Sequence, residues 1–134
     1  MKESLYKAVT FGVGVSVAAT YLDYQSDPDN SQFAWAYHVR IENRNKKSVQ
    51  LLSRNWSITD ALGNGHWVIG EGVVGEKPIL QPGEAFEYTS GTPLQTPSGI
   101  MAGFYRLIDE DGYLFYAEVP AFSLDSPYEE PSLH

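Results

Sequence analysis

The strongest structural pattern in the chain is Phe33-Ala34-Trp35-Ala36-Tyr37-His38-Val39-Arg40-Ile41-Glu42. Every odd position carries a large apolar side chain, whereas the even positions become more polar toward Glu42. Successive side chains of a β-strand point to opposite faces, so this alternation predicts a strand packed on one face only. Segment 26–30 before it is polar and contains a proline, which is typical of a loop, and segment 43–47 after it is predicted to be a turn.

Further strands are predicted next to this one. A strand from Val49 to Thr59 is expected to place one set of side chains on a common face: Leu52, Arg54, Trp56 and Ile58. Asn64-Gly65 suits a tight hairpin turn, because both central residues of that turn type need positive φ. The returning strand is predicted over His66 to Ile69.

The last third of the chain predicts three more strands. A turn at Leu80–Glu84 leads into a strand that ends near Ser90, and a loop follows from Thr92 to Gly99. Ile100–Ile108 and Tyr113–Phe122 are expected to pair as a hairpin through segment 109–112. Pro120 cannot donate a backbone hydrogen bond, so it indicates an edge position or a bulge.

These elements together define the predicted fold class. No apolar pattern of helical period persists for 11 residues, and seven or so short strands are punctuated by glycine and proline. This arrangement is typical of an all-β, antiparallel sandwich with Greek-key-like connections. We predict a single domain over residues 1–124, followed by a loosely ordered acidic tail over residues 125–134.

The N-terminal segment has two interpretations. Lys2 and Lys7 precede an uncharged run over residues 8–20, as in a secretory signal peptide, but Glu3 interrupts the positive region. The alternation of valines within the run has the period of a strand. We predict that residues 8–20 form a retained strand.

Composition and charge exclude several classes of protein. Apolar residues make up 43% of the 134 residues, and there is no cysteine, which excludes disulfide scaffolds and cysteine nucleophiles. The net charge is −8, and the one basic cluster is small. Its members suit a solvated turn: Arg40, Arg44, Lys46 and Lys47. We therefore expect no nucleic-acid partner and no membrane insertion, since no uncharged run reaches the roughly 18–20 residues of a spanning helix.

One glycine-rich motif has both a structural and a functional interpretation. Gly70-Glu71-Gly72-Val73-Val74-Gly75 matches the spacing of a dinucleotide fingerprint, but Pro78 follows at once and no helix pattern comes after it. The glycines are favoured as a bulge or a close strand approach. The alternative is an anion-binding nest formed by Gly70, Gly72 and Gly75, with Lys77 as its one flanking cation.

The remaining polar candidates are weaker. Asp109, Glu110 and Asp111 favour a solvated turn over weak divalent-cation binding, and His38, His66 and His134 share no ligand spacing. Most large aromatic residues are predicted to be core: Trp35, Tyr37, Trp56, Phe86 and Tyr88. The nine tyrosines include Tyr105, Tyr113, Tyr116 and Tyr128, and they cannot all be buried with satisfied hydroxyls, so some of the nine are expected on a partner surface.

Several strings, in one fixed order, resemble the bacterial ApaG family. They include segments 26–30, 33–37, 49–54, 56–60 and 70–75, Pro82-Gly83-Glu84, segment 88–91, and Thr96-Pro97-Ser98-Gly99 with Met101, Gly103 and Tyr105. The resemblance runs from about Val13 to Leu124. It implies a fibronectin-type-III or immunoglobulin-like sandwich, a cytoplasmic location, and a part in cobalt resistance and magnesium efflux. Related domains look like protein-interaction modules, and no catalytic residue carries over.

The resulting functional expectation is a non-enzymatic interaction module that needs no cofactor. It would affect divalent-cation homeostasis indirectly, through a protein partner, as a monomer or a homodimer. The alternative is a small-ligand binder that holds pyrophosphate, a nucleotide or a metal–phosphate complex at segment 70–75. An undiscovered hydrolase is the least favoured, since no acid–base constellation stands out.

Overall fold

The computed structural model describes residues 4–128 and is built almost entirely from strands. Two 3₁₀ turns, Asp23–Gln25 and Pro28–Asn30, interrupt the strand order, and no helix in the described part could span a membrane. The strands are β1 (Ser4–Thr10), β2 (Val13–Tyr21), β3 (Phe33–Asn43), β4 (Val49–Asp60), β5 (Gly65–Glu71), β6 (Ile79–Leu80), β7 (Ala85–Leu94), β8 (Gly99–Asp109) and β9 (Leu114–Leu124).

The strands form two antiparallel sheets that pack face to face. The first sheet has the order β1-β2-β3-β7, and the second has the order β5-β4-β8-β9 with β6 beside the first residues of β4. The chain changes sheets between β3 and β4, between β6 and β7, and again between β7 and β8, which produces Greek-key connections. The predicted all-β sandwich is confirmed.

The faces of β3 are those that the alternation predicts. Its odd positions from Phe33 to Ile41 are all buried, as are Val13, Val15 and Val17 on the neighbouring strand β2. The single strand predicted over residues 8–20 is wrong in one respect. Residues 8–10 belong to β1, because the chain reverses at Phe11 and Gly12, whose φ angles are 46° and 77°.

The predicted inner face of β4 is half wrong, because the strand contains a bulge. Its pairing with β8 shifts register between Leu51 and Ser53, so Leu52 is an extra residue. Before the bulge the buried residues are Val49 and Leu51, and after it they are Trp56 and Ile58. A period-two pattern cannot anticipate a change of phase within one strand.

The turn between β4 and β5 exists, but its geometry differs from the prediction. Positive φ occurs at Gly63, at 87°, and not at Asn64 or Gly65. The Asp60 side chain closes this turn by accepting hydrogen bonds from the backbone N–H groups of Leu62 and Asn64, each at 2.9 Å. Asparagine and aspartate side chains commonly bond to backbone groups in turns, and here Asp60 allows a longer loop than the two-residue type.

Asn43 ends β3 instead of beginning the predicted turn. The residue is fully buried, and its side chain donates to the carbonyl oxygens of Lys47 at 2.8 Å and Leu80 at 3.0 Å. Its own side-chain oxygen accepts the Asn45 N–H at 3.0 Å. These bonds satisfy a buried polar group, as burial requires, and they hold the β3–β4 turn against β6.

The C-terminal region remains packed beyond the predicted boundary at Leu124. The Trp35 indole N–H donates to the Asp125 carbonyl oxygen at 2.7 Å, and the Ser126 hydroxyl donates to the Pro97 carbonyl oxygen at 2.6 Å. The Tyr128 ring lies 6.2 Å from the Tyr21 ring. The rest of the predicted tail, residues 129–134, lies outside the described residues.

Pro120 lies where its chemistry predicts. It is on β9, an edge strand of the second sheet, and the β8–β9 register shifts at this point, between Met101 and Gly103. Both predicted explanations, edge and bulge, therefore hold together.

Candidate functional site

The glycine-rich segment folds as a tight hairpin that follows β5. Val73 and Glu76 exchange backbone hydrogen bonds of 2.7 and 2.9 Å around Val74 and Gly75, whose φ angles are 44° and 81°. Two central residues with positive φ define the hairpin turn of type I′. The Gly72 N–H donates to the Leu52 carbonyl oxygen at 2.7 Å. The amides of Gly72, Val73 and Glu76 are thus engaged within the protein instead of facing an anion.

The cations around this hairpin are also engaged. Lys77 Nζ lies 2.8 Å from Glu71 Oε2, and the hydrogen bond from Lys77 holds the pKa of the Glu71 carboxyl below its usual value. Arg54 was not a sequence candidate, yet its Nη1 donates to the Gly72 carbonyl oxygen at 2.9 Å. Its guanidinium lies over Gly70, where a Cβ would come within 2.8 Å of it. The register of the β4–β5 hairpin pairs Arg54 with Gly70, and from this pairing the place of Arg54 beside the glycine motif could have been predicted.

We expect Gly72→Ala to destabilise the protein. The residue has φ +63°, and an alanine Cβ would overlap the Glu76 carbonyl oxygen and lie 3.1 Å from the Glu76 carbonyl carbon. The left-handed conformation alone costs an L-residue about 1–2 kcal/mol, and backbone cannot move aside as a side chain can. Urea melts should show the loss. Gly75→Ala is the matched control: it has φ +81° but open space around it, and equal losses in the two variants would contradict the clash.

A groove opens between β5 and β7 and leads toward the core. Its volume is about 220 Å³, and its lining combines aromatic, cationic and hydroxyl groups: Tyr37, Arg54, Trp56, Ile58, His66, Val68 and residues 90–93. Trp56 is only 2% exposed, and its indole N–H makes no hydrogen bond of normal geometry among the described residues. It lies near the Tyr88 hydroxyl, where burial raises the pKa of that group and the indole N–H lowers it slightly. A second cavity of about 480 Å³ shares His66 and Pro93 with this groove and continues it past the β4–β5 turn.

Two buried tyrosines lie behind the groove. The hydroxyls of Tyr88 and Tyr105 form a hydrogen bond with each other, and burial raises the pKa of both phenols well above the usual value. Each phenol is therefore neutral, and one of the two hydroxyls donates to the other. Trp35, Tyr37, Trp56 and Tyr88 are buried as predicted, and Phe86 is partly buried against the core. Of the four tyrosines named from the sequence, Tyr105 is buried, whereas Tyr113, Tyr116 and Tyr128 are exposed.

Strand β5 exposes large apolar side chains at the edge of its sheet. Trp67 is 66% exposed and Ile69 is 72% exposed, and Leu62 in the preceding turn is exposed as well. β5 pairs with β4 along one edge, and no described strand pairs with its other edge. Such an edge is a template for another strand, and natural proteins usually blunt it with charge or proline.

The acidic turn and Lys47 of the basic cluster are held by local interactions. Asp109 accepts two backbone hydrogen bonds within its own turn, Glu110 accepts the Ser48 N–H at 2.8 Å, and Asp111 forms an ion pair with Lys47. Within residues 4–128, no group of three His, Asp or Glu side chains is arranged to hold a metal ion. Weak cation binding by this turn stays a prediction.

Arg40, Arg44 and His38 face solvent beside acidic side chains. Arg40 pairs with Glu42 at 3.0 Å and with Glu87 at 3.2 Å. Arg44 pairs with Glu42 at 2.7 Å, and the two arginines hold the pKa of Glu42 below its usual value, Arg44 more strongly. His38 contacts Glu87, whereas His66 lines the groove and His134 lies outside the described residues. The structure does not bring the three histidines together.

Comparison with known proteins places the chain in a family. The family model described as the ApaG domain matches residues 23–109. Protein ApaG of Paramagnetospirillum magneticum is 56% identical over 130 residues, which are 97% of this chain and all of that protein. Protein ApaG of Rhodospirillum centenum is 55% identical over 124 residues, 92% of this chain and 95% of that protein. A crystal structure of a protein from Bordetella pertussis, described as ApaA, has 45% identity and a TM-score of 0.85 over 87% of this chain and 95% of that chain. The chain therefore belongs to the ApaG family.

Proposed function

We propose that this protein is a non-enzymatic protein-interaction module of the bacterial cytoplasm. It acts on cobalt resistance and magnesium efflux indirectly, through a protein partner that binds the edge strand β5. The cation link rests on the family resemblance, and the interaction role rests on the surface of the chain itself.

The single observation that carries this proposal is the exposed apolar edge of β5. Trp67 and Ile69 lie next to each other on one face of an edge strand, and the inner face of the same strand borders the groove. Tryptophan at the centre of an interface contributes more binding energy than almost any other residue. A stable domain has no structural need for an exposed tryptophan on an open edge, so a partner that covers it is the economical explanation.

Site-specific cross-linking in cells tests the proposal. A photo-reactive phenylalanine analogue replaces Trp67 in one strain and Tyr113, an equally exposed aromatic residue on the β8–β9 turn, in another. We expect a discrete cross-linked protein from position 67, in yield that changes with excess cobalt, and none from position 113. Equal adducts from both positions, or none from position 67, would show that the β5 edge is not the binding surface.

Binding of pyrophosphate or a nucleotide at the hairpin is the second candidate. Three cations lie near the hairpin, and this clustering favours an anion as the ligand. Arg54 contacts the hairpin directly, whereas Lys77 and Arg106 lower the pKa of Glu71. Calorimetric titration of pyrophosphate and ATP, with and without magnesium, distinguishes the two candidates. Micromolar binding that Lys77→Ala abolishes in a folded protein would replace the interaction module by a ligand binder.

A further inference from the structure

We propose that the groove between β5 and β7 receives an extended segment of the partner protein, which adds to β5 as a strand. One acidic side chain of this segment accepts hydrogen bonds from the Trp56 indole N–H and from Arg54. This inference rests on the proposed function and names its binding mode and the chemistry of the partner.

Strand addition follows from the geometry of β5. The strand alternates its side chains, so Trp67 and Ile69 point outward whereas His66 and Val68 line the groove. A strand that pairs with the free edge continues the same alternation. It places one set of side chains beside Trp67 and the other set at the mouth of the groove.

The length of the site fits several extended residues. The groove and the neighbouring cavity share His66 and Pro93, and together they follow β7 from Ser90 to its end at Leu94 and continue to Gln95. Five residue steps of a strand span about 17 Å, at roughly 3.3 Å each. The site therefore suits a strand of about five residues more closely than a compact small molecule.

The acidic side chain follows from the polar groups of the groove. A buried N–H without a well-formed hydrogen bond costs free energy. The Trp56 indole N–H is such a group, since the nearby Tyr88 hydroxyl does not bond to it with normal geometry. Arg54 uses Nη1 for the hairpin carbonyl oxygens, and its other nitrogens make no hydrogen bond within residues 4–128. It is also the one residue of the groove lining that is always charged. A carboxylate satisfies both donors and complements this charge.

Net charge also favours a different protein over a second copy of this chain as the occupant of the groove. Each copy carries a net charge of −8, so two copies repel one another at long range. A different protein with one acidic residue in an otherwise uncharged strand avoids most of this repulsion. Self-association through β5 is therefore an outcome of the test, which sedimentation of the free protein would reveal.

Selection of peptides on the intact protein tests the inference. A phage-displayed library of random twelve-residue peptides is selected on the wild type and counter-selected on Trp56→Phe and Arg54→Gln. We expect enriched peptides with one Asp or Glu between β-branched or aromatic residues and no proline beside it. Replacing that acid by its amide should weaken binding at least tenfold, and so should Arg54→Gln, with partial recovery in Arg54→Lys.

Nuclear magnetic resonance adds a readout that a purely structural role would not move. The Trp56 indole N–H resonance, assigned by its loss in Trp56→Phe, should shift on peptide binding, and β5 amides should gain protection from hydrogen exchange. Peptides that bind Trp56→Phe and Arg54→Gln as well as the wild type would overturn the inference, as would a selection without acidic sequences or without binders. If Trp67 cross-links to a protein in cells but the selection yields no acidic binders, the proposed function stands and the binding mode is wrong. If the selection succeeds but Trp67 gives no cross-link, the groove binds acidic strands and the proposed function is wrong.

Discussion

Trp56→Ala is expected to lower the free energy of unfolding by about 3–5 kcal/mol, the range for deleting a fully buried large aromatic side chain. The residue is 2% exposed and lies where the two sheets meet. Its ring is 5.4 Å from the Tyr37 ring of the first sheet and 6.0 Å from the Tyr105 and Phe122 rings of the second. A whole domain is typically stable by only about 5–15 kcal/mol. Urea unfolding followed by circular dichroism measures this loss.

Trp56→Phe is the matched control for that experiment. It keeps an aromatic ring in the core and removes an N–H that makes no well-formed hydrogen bond, so we expect a loss of about 1–2 kcal/mol. Trp35→Ala should also cost about 3–5 kcal/mol, since Trp35 is 1% exposed and also donates to Asp125. A Trp56→Ala midpoint close to that of the wild type would contradict the central position of this ring.

The sandwich could be predicted because its inner faces alternate regularly. Strand β3 is uninterrupted, and each of its large apolar residues is buried. The same logic failed on β4, where one extra residue at Leu52 exchanges the two faces. A bulge is stabilised by the pairing of two neighbouring strands, and the sequence of one strand does not contain that information.

The candidate site was less predictable than the fold, because contacts between distant strands create it. The glycine motif matched a phosphate-binding pattern, yet its amides close a hairpin and its lysine pairs with Glu71. Arg54 and Gly70 are 16 positions apart, and only their register brings them together. The groove joins β5 to β7 in the other sheet. The alternation within one strand predicts which residues lie outside the core. It does not predict which of them contact one another between the edge strands β5 and β7.

Gly103→Ala is expected to destabilise the protein by about 3 kcal/mol or more, although Gly103 has an ordinary φ and only a methyl group is added. Gly103 pairs with Trp56 at the centre of the second sheet. An alanine Cβ would overlap the Asn55 carbonyl oxygen and lie 3.2 Å from the Trp56 Cα. Overpacking of a tight site costs about 1–3 kcal/mol, occasionally more, when neighbours can shift. Here the obstacle is backbone, so β8 must move away from β4 and break ladder hydrogen bonds.

Gly65→Ala separates this clash from the general effect of adding a methyl group to a strand. Gly65 also lies in the second sheet, but the atoms nearest to an added Cβ are 3.7 Å away, which is an ordinary contact. The free energy of unfolding of this variant should therefore stay within about 0.5 kcal/mol of the wild type. Thermal and urea melts of the two variants are the measurement. Because the register shift between β8 and β9 also falls at Gly103, the strained variant should lose hydrogen-exchange protection in β8 and β9 before β3. Similar stabilities for the two variants would mean that β4 and β8 are farther apart at this point than the structure places them.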